Sequence, residues 1–240
     1  MNIPIGLEKC QSVISTEFST DLFERPSAST RGPAVRSVVT ISRQSGCGAV
    51  AVGEKLAAYL EAKVPDHSRP WKLFDKNLIQ NVLAEHRLPL RLARFMTEDR
   101  ASEVTDIIDQ LLGTHPPSDM LVHYTAETIS RLAERGNVIL IGRAANVITR
   151  ELPHVLHVRL VASLDKRVER VRLIRDIPKR AAMASILKED RARKRYMKKY
   201  FGADPDDPLL YHLVLNTDLI PYERAARIIG HAVLGHGSRV

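Results

Sequence analysis

The sequence predicts an α/β fold, a parallel five-stranded sheet with helices on both faces. Three observations predict it. Short β-branched or apolar runs alternate along the chain with stretches of helical periodicity. The first run passes through a Gly-Cys-Gly turn straight into an amphipathic pattern. The chain has 240 residues, 44% of them hydrophobic, enough to bury a core without disulfides or a metal.

Residues 1–36 read as a flexible N-terminal arm, because the stretch from Pro26 to Pro33 is rich in Pro, Ser and Gly. The domain then spans 37–240. Ser37–Ser42 is β-branched and reads as a buried first strand. After Gly46-Cys47-Gly48, Val52, Leu56, Tyr59 and Leu60 recur at helical spacing. Trp71–Phe74 gives a short second strand. About 75–135 reads as a helical insert, with Leu78, Ile79, Val82 and Leu83 on one face, broken at Pro89 and around Pro116-Pro117. Asn137–Ile141 and His154–Leu160 are the third and fourth strands. A long basic helical stretch follows, interrupted near Pro178, with a lid over about 178–208. Leu213–Asn216 is the fifth strand, and a last helix runs from about Pro221 to Leu234.

Charge is concentrated. The net charge is +8, yet Lys166–Lys199 alone holds 14 Lys/Arg against 4 Asp/Glu, a local +10. Such a patch calls for an anionic partner: nucleotide phosphates, nucleic acid or an acidic surface. Only Cys10 and Cys47 occur, without disulfide framework or metal-ligand spacing, which predicts a reducing, cytoplasmic setting. No apolar run reaches the ~18 residues of a membrane span. His231 and His236 are five apart without an accompanying carboxylate, so no protein metal site is expected.

The strongest functional signal is Ser42-Arg43-Gln44-Ser45-Gly46-Cys47-Gly48 between a strand and a helix. Glycines there let the backbone wrap an anion, with N–H groups and a helix N-terminus facing it. Against the G-x-x-x-x-G-K-[ST] template the chain has Arg43, Gly48, Ala49 and Val50, with Ala51 one place on. The first glycine, the lysine and the magnesium-binding hydroxyl are missing. A thiol at a helix start can have a lowered pKa, so Cys47 is a redox candidate, although a small residue is all this place needs.

The run Ile41–Gly48 resembles the opening I-S-R-Q-x-G-S-G-G-R-E loop of cytidylate-kinase-like proteins. Phe74-Asp75-Lys76-Asn77-Leu78-Ile79 resembles their F-Y-D-K-E-L-I element. Ile141–Asn146 resembles their G-R-x-A-D segment and the D-G-R-D segment of cytidylate kinases. Asp190–Tyr196 is similar to their arginine-bearing lid, and Leu215-Asn216-Thr217 to their closing strand. The five matches run in order over roughly 37–235. The chain departs at Ala49-Val50-Ala51, where the family continues Gly-Arg-Glu, and at Ile141, acidic in cytidylate kinases.

The resemblance implies a P-loop NTPase-type fold and ATP-dependent phosphorylation of a nucleoside monophosphate such as CMP. Mg2+ is expected from the family, with no protein ligand identified. It implies that Arg43, Gln44, Ser45, Gly46, Cys47 and Gly48 cradle donor phosphates. Asp75 and Arg143 then contact the acceptor, and Arg191 and Arg195, on one helix face, act as catalytic lid arginines. Arg193 and Lys194 are read as solvent-facing. Two other readings compete. One is a nucleotide-binding module with little turnover, favoured by Ala49 and Ala51. The other, ranked last, is a nucleic-acid binder using the basic stretch with Tyr196, Tyr200 and Phe201 for stacking.

Overall fold

The computed structural model describes residues 37–64, 70–75, 77–88 and 118–236. The arm at 1–36 and the middle of the insert at 89–117 lie outside the described residues. Five strands form one sheet: β1 (Val38–Arg43), β2 (Lys72–Phe74), β3 (Val138–Ile141), β4 (Val155–Val161) and β5 (Leu213–Asn216). Each lies within a residue or so of its sequence-predicted place. Every pairing is parallel, in the order β2-β3-β1-β4-β5. The carboxyl ends of all five strands therefore share one edge.

Seven helices occur among the described residues: α1 (Ala49–Lys63), α2 (Asn77–Glu85), α3 (Ser118–Arg135), α4 (Ala145–Ile148), α5 (Leu164–Arg175), α6 (Lys179–Phe201) and α7 (Tyr222–His236). The period-two rule decides which helix covers which face. Val39, Ile41, Ile139, Ile141, Leu156, Val158 and Leu160 point to one side, where Leu56 and Leu60 of α1 and Ile229 and Val233 of α7 pack on them. Val38, Val138, Leu140 and Val155 point to the other, against Leu78 of α2 and Ile129 and Ala133 of α3. Apolar side chains at successive positions match strands covered on both faces.

The second face turns polar towards β4. Thr40 Oγ1 lies 2.8 Å from His157 Nδ1, and one pleat further on Ser42 meets Arg159. The end of α6 covers the neighbouring region, with Tyr196 and Met197 buried against Ala144. That burial takes Tyr196 out of any exposed stacking surface. The sheet order changes direction beside β1: the chain moves to β2, returns to β3, then crosses to β4. Open parallel sheets bind ligands at such a switch point, outside the strand carboxyl ends.

Candidate functional site

A cleft of about 210 Å³ opens at that edge. Its walls come from the end of β1 and the residue after it (Ser42, Arg43, Gln44), from the turn after β3 (Gly142, Arg143) and α4 (Asn146), from Arg159 of β4 and from α6 (Asp190, Arg191, Arg193, Lys194). Six lining side chains are cationic and two, Asp190 and Asp206, are carboxylates. The lining is therefore built for an anion.

The first wall is the loop after β1. Gln44 N donates to Leu160 O at 3.1 Å, and Ala162 N donates to Gln44 Oε1 at 3.0 Å, so Gln44 clamps the loop to β4. Thr217 Oγ1, just past β5, donates to Cys47 O at 3.0 Å and fixes it from behind. Gly48 ends the loop at φ 85°, where a Cβ would lie 2.2 Å from the Tyr222 ring. Only glycine meets both conditions.

Ser45 of this loop is already engaged by the protein itself. Ser45 N donates to Asp190 Oδ1 at 2.8 Å, and Ser45 Oγ donates to Glu189 Oε2. Arg167 Nη1 reaches Asp190 Oδ2 at 2.6 Å and Arg193 Nη1 reaches Asp190 Oδ1 at 2.8 Å. One carboxylate thus takes a backbone N–H and two guanidiniums, the donor set an oxyanion would take. Burial by itself would raise the Glu189 carboxyl. Hydrogen bonds from Ser45 and from Arg175, with the charge of Arg175, outweigh it and hold the group below its ordinary value.

Cys47 is fully buried. Burial pushes its thiol up, and Arg43, Arg193, Arg159 and Arg167 only partly oppose that. The expected lowering at the helix start is therefore overturned: desolvation beats the positive surroundings. The solvent-facing reading of Arg193 is corrected as well, whereas Lys194 is exposed as expected. Arg193 is mostly buried and donates to Ser45 Oγ at 2.8 Å. Lys194 lines the cleft and pairs with Asp204 and Asp206 at 2.9 and 3.1 Å.

The second wall is the turn between β3 and α4. Gly142, Arg143 and Ala144 all adopt left-handed backbone, with φ 80°, 57° and 54°. Non-glycine residues there cost about 1–2 kcal/mol each. A Cβ on Gly142 would lie 1.9 Å from Arg43 Nη1, so the Arg43 guanidinium crosses directly over the glycine. The turn thereby brings Arg43 and Arg143, predicted for separate roles, into one cleft wall.

Of the two lid arginines, Arg191 lines the cleft, and its Nε donates to Leu187 O at 3.1 Å. Arg195 is exposed and is not among the lining residues. Asp75 follows β2, half-buried, and its carbonyl accepts from Leu78 N at 3.2 Å. It also stands outside the lining.

Sequence reasoning missed Arg159 and Arg167. Arg159 is buried, donating to Ser42 Oγ at 2.9 Å and Asp206 Oδ1 at 2.7 Å. Arg167 is buried beneath the loop and donates to Ser45 O at 3.2 Å. The available signal for Arg159 was a lone charge inside an apolar strand, which requires a partner.

Among the described residues no group of three His, Cys, Asp or Glu could hold a metal ion, and no helix is long and apolar enough to cross a membrane. Ala49, Val50 and Ala51 offer no side-chain oxygen where the phosphate-loop template places its magnesium-binding hydroxyl, and the Ser45 hydroxyl of the loop is engaged by Glu189.

A sequence profile described as the Cytidylate kinase-like family matches residues 38–219, from β1 to just past β5. The chain belongs to the cytidylate kinase-like family. A cytidylate kinase of Methanopyrus kandleri is 30% identical over 150 residues, 59% of this chain and 76% of that enzyme. A cytidylate kinase of Methanocaldococcus jannaschii is 28% identical over 104 residues, 42% of this chain and 58% of that one. An uncharacterized protein from Eubacterium ventriosum has the same fold, with a TM-score of 0.59 and 17% identity over 83% of this chain and 99% of that one. Family membership supports a nucleotide-binding phosphotransferase as the coarse reading.

Proposed function

We propose that this member of the family phosphorylates a nucleoside monophosphate, CMP first, using ATP brought in with its own magnesium. One observation carries the reading: a cation-rich cleft at the switch point, with Arg43, Arg143 and Arg191 on its wall. Phosphoryl transfer asks a protein mainly to position two phosphates and to neutralise charge, which guanidinium forks do well. Arg143 binds the acceptor phosphate. Arg191 approaches from α6 to meet charge developing on the transferred group, with Arg195 as the outer lid arginine and Asp75 facing the acceptor nucleoside. Donor phosphates lie along Arg43–Gly48. Magnesium, where present, is held by the nucleotide and supplies further neutralisation. The localisation in keeping with this is cytoplasmic.

The second reading is a nucleotide binder with little turnover. Its support is the Asp190 carboxylate on Ser45 N, since donor phosphates must displace it before using that N–H. Calorimetry with ATP and with CMP, each with and without magnesium, followed by a coupled phosphotransfer assay, separates the two. The kinase reading expects CMP binding, turnover with MgATP, and loss of both in Arg143→Ala. Binding without turnover makes the chain a nucleotide sensor. No binding of either nucleotide overturns both.

A further inference from the structure

Asn146 is unaccounted for by the roles above. It is the second residue of α4, only 4% exposed, and it lines the cleft. Its Nδ2 is buried and makes no hydrogen bond. Buried polar groups are almost always paired, and an unpaired one asks for a partner from outside the protein. Arg143, three residues earlier, is held in left-handed backbone on the same wall, and the Arg43 guanidinium lies over Gly142. A strained backbone, a guanidinium laid over a glycine and an unpaired amide thus meet at one five-residue turn.

The surrounding charge selects the partner. Asp190 is ion-paired with Arg167 and Arg193, and Asp206 with Arg159 and Lys194. Cations outnumber carboxylates six to two along the lining, so the missing acceptor is an oxyanion and not a cation. An amide donor lining the same cleft as the Arg43 and Arg143 side chains suits a phosphate monoester, whose oxygens accept several hydrogen bonds at once.

We infer that Asn146 is a substrate-contact residue, donating from its side-chain amide to a phosphate oxygen of the acceptor bound at Arg143. The assignment rests on the proposed kinase reading and adds a recognition residue to it. It also separates two effects that a structural asparagine would couple. Replacing a buried unpaired amide by an apolar group of similar shape removes its desolvation penalty. The free protein should therefore be no less stable while the ligand binds more weakly.

The experiment uses the full chain, with thermal melting and calorimetry against CMP and inorganic phosphate. Asn146→Leu should keep or raise the melting temperature and weaken CMP binding about tenfold. Asn146→Ser, whose hydroxyl is too short to take the amide's place, should likewise weaken CMP about tenfold. A lower melting temperature in Asn146→Leu with CMP affinity unchanged in both variants makes Asn146 structural and overturns the assignment. Wild-type protein that binds neither CMP nor phosphate overturns the kinase reading with it. Wild-type binding that survives both substitutions removes Asn146 alone.

Discussion

Two glycine turns leave neighbouring strands at the same edge and end in opposite conditions. The loop after β1 is closed on itself: its Ser45 N–H is taken by Asp190, its serine hydroxyl by Glu189, and its last glycine is covered by the Tyr222 ring. The turn after β3 is strained, lies under a guanidinium and ends in an unpaired amide. The element whose sequence most suggests nucleotide binding is thus the more satisfied in the free protein. The less conspicuous turn carries the unmet hydrogen-bonding demand. Strain and an unpaired donor raise the energy of the free state and are relieved by a ligand, whereas a satisfied loop must first exchange one oxyanion for another.

The contrast breaks most severely at Asp190. Asp190→Ala leaves the Arg167 guanidinium, only 8% exposed, without its carboxylate. Removing one partner of a largely buried pair costs about 3 kcal/mol. In a domain of this size that lowers the melting temperature by roughly 8 °C. The same change vacates Ser45 N–H, so ATP should bind the variant more tightly than wild type at a temperature where both are folded. Unchanged ATP affinity would show that the carboxylate and the donor phosphates do not compete.

Glycine substitutions sharpen the comparison at smaller cost. Gly48→Ala sets a Cβ 2.2 Å from the Tyr222 ring at φ 85°. Overpacking and left-handed strain together predict a loss of about 2–3 kcal/mol. Adding Tyr222→Ala should return the packing part and leave the backbone part, a coupling that a double-mutant cycle of melting curves measures. Gly142→Ala meets only the tip of Arg43, a flexible side chain, so the expected cost is nearer 1 kcal/mol from backbone strain. Its larger consequence is displacement of Arg43 from the cleft, read as weaker ATP binding. Gly48→Ala should therefore act on stability and Gly142→Ala on binding. The reverse pattern would collapse the distinction between the turns.

The fold was legible because both devices that encode it are local. β-branched runs mark the strands, and glycine turns with 3.6-residue periodicity mark the crossovers, so every strand fell near its place. The cleft was legible only in part. Arg43 and Arg143 follow strand ends directly, and a strand end in a parallel sheet is a known address. Arg193 was misread because spacing along α6 says which residues share a face but not which face meets the loop. That is decided by the packing of Val168 and Val171 on Ala182 and Ile186, between α5 and α6. The same packing brings Glu189 and Asp190 to the loop, and nothing in the local sequence announces a contact about 145 residues away. Asn146 was equally silent, since an unpaired donor is a property of the surroundings and not of the residue.

The smallest expected effect tests the closed loop through pH. Glu189 is held below its ordinary value by its hydrogen bonds from Ser45, Arg175 and Ser185 and by the Arg175 charge, which together outweigh the opposing effect of burial. A carboxyl depressed in the folded state binds its proton more readily when unfolded. Its stabilisation is therefore complete above the unfolded value and is lost as pH falls through the folded one. Glu189→Gln keeps the shape without the charge. The difference in melting temperature between wild type and Glu189→Gln should hold constant from pH 8 to about pH 5 and narrow progressively below about pH 4.5, while carboxylates common to both cancel. A difference that keeps its width down to pH 3 would mean that the Glu189 charge adds nothing to holding Ser45. The closed state of the loop would then rest on Asp190 alone.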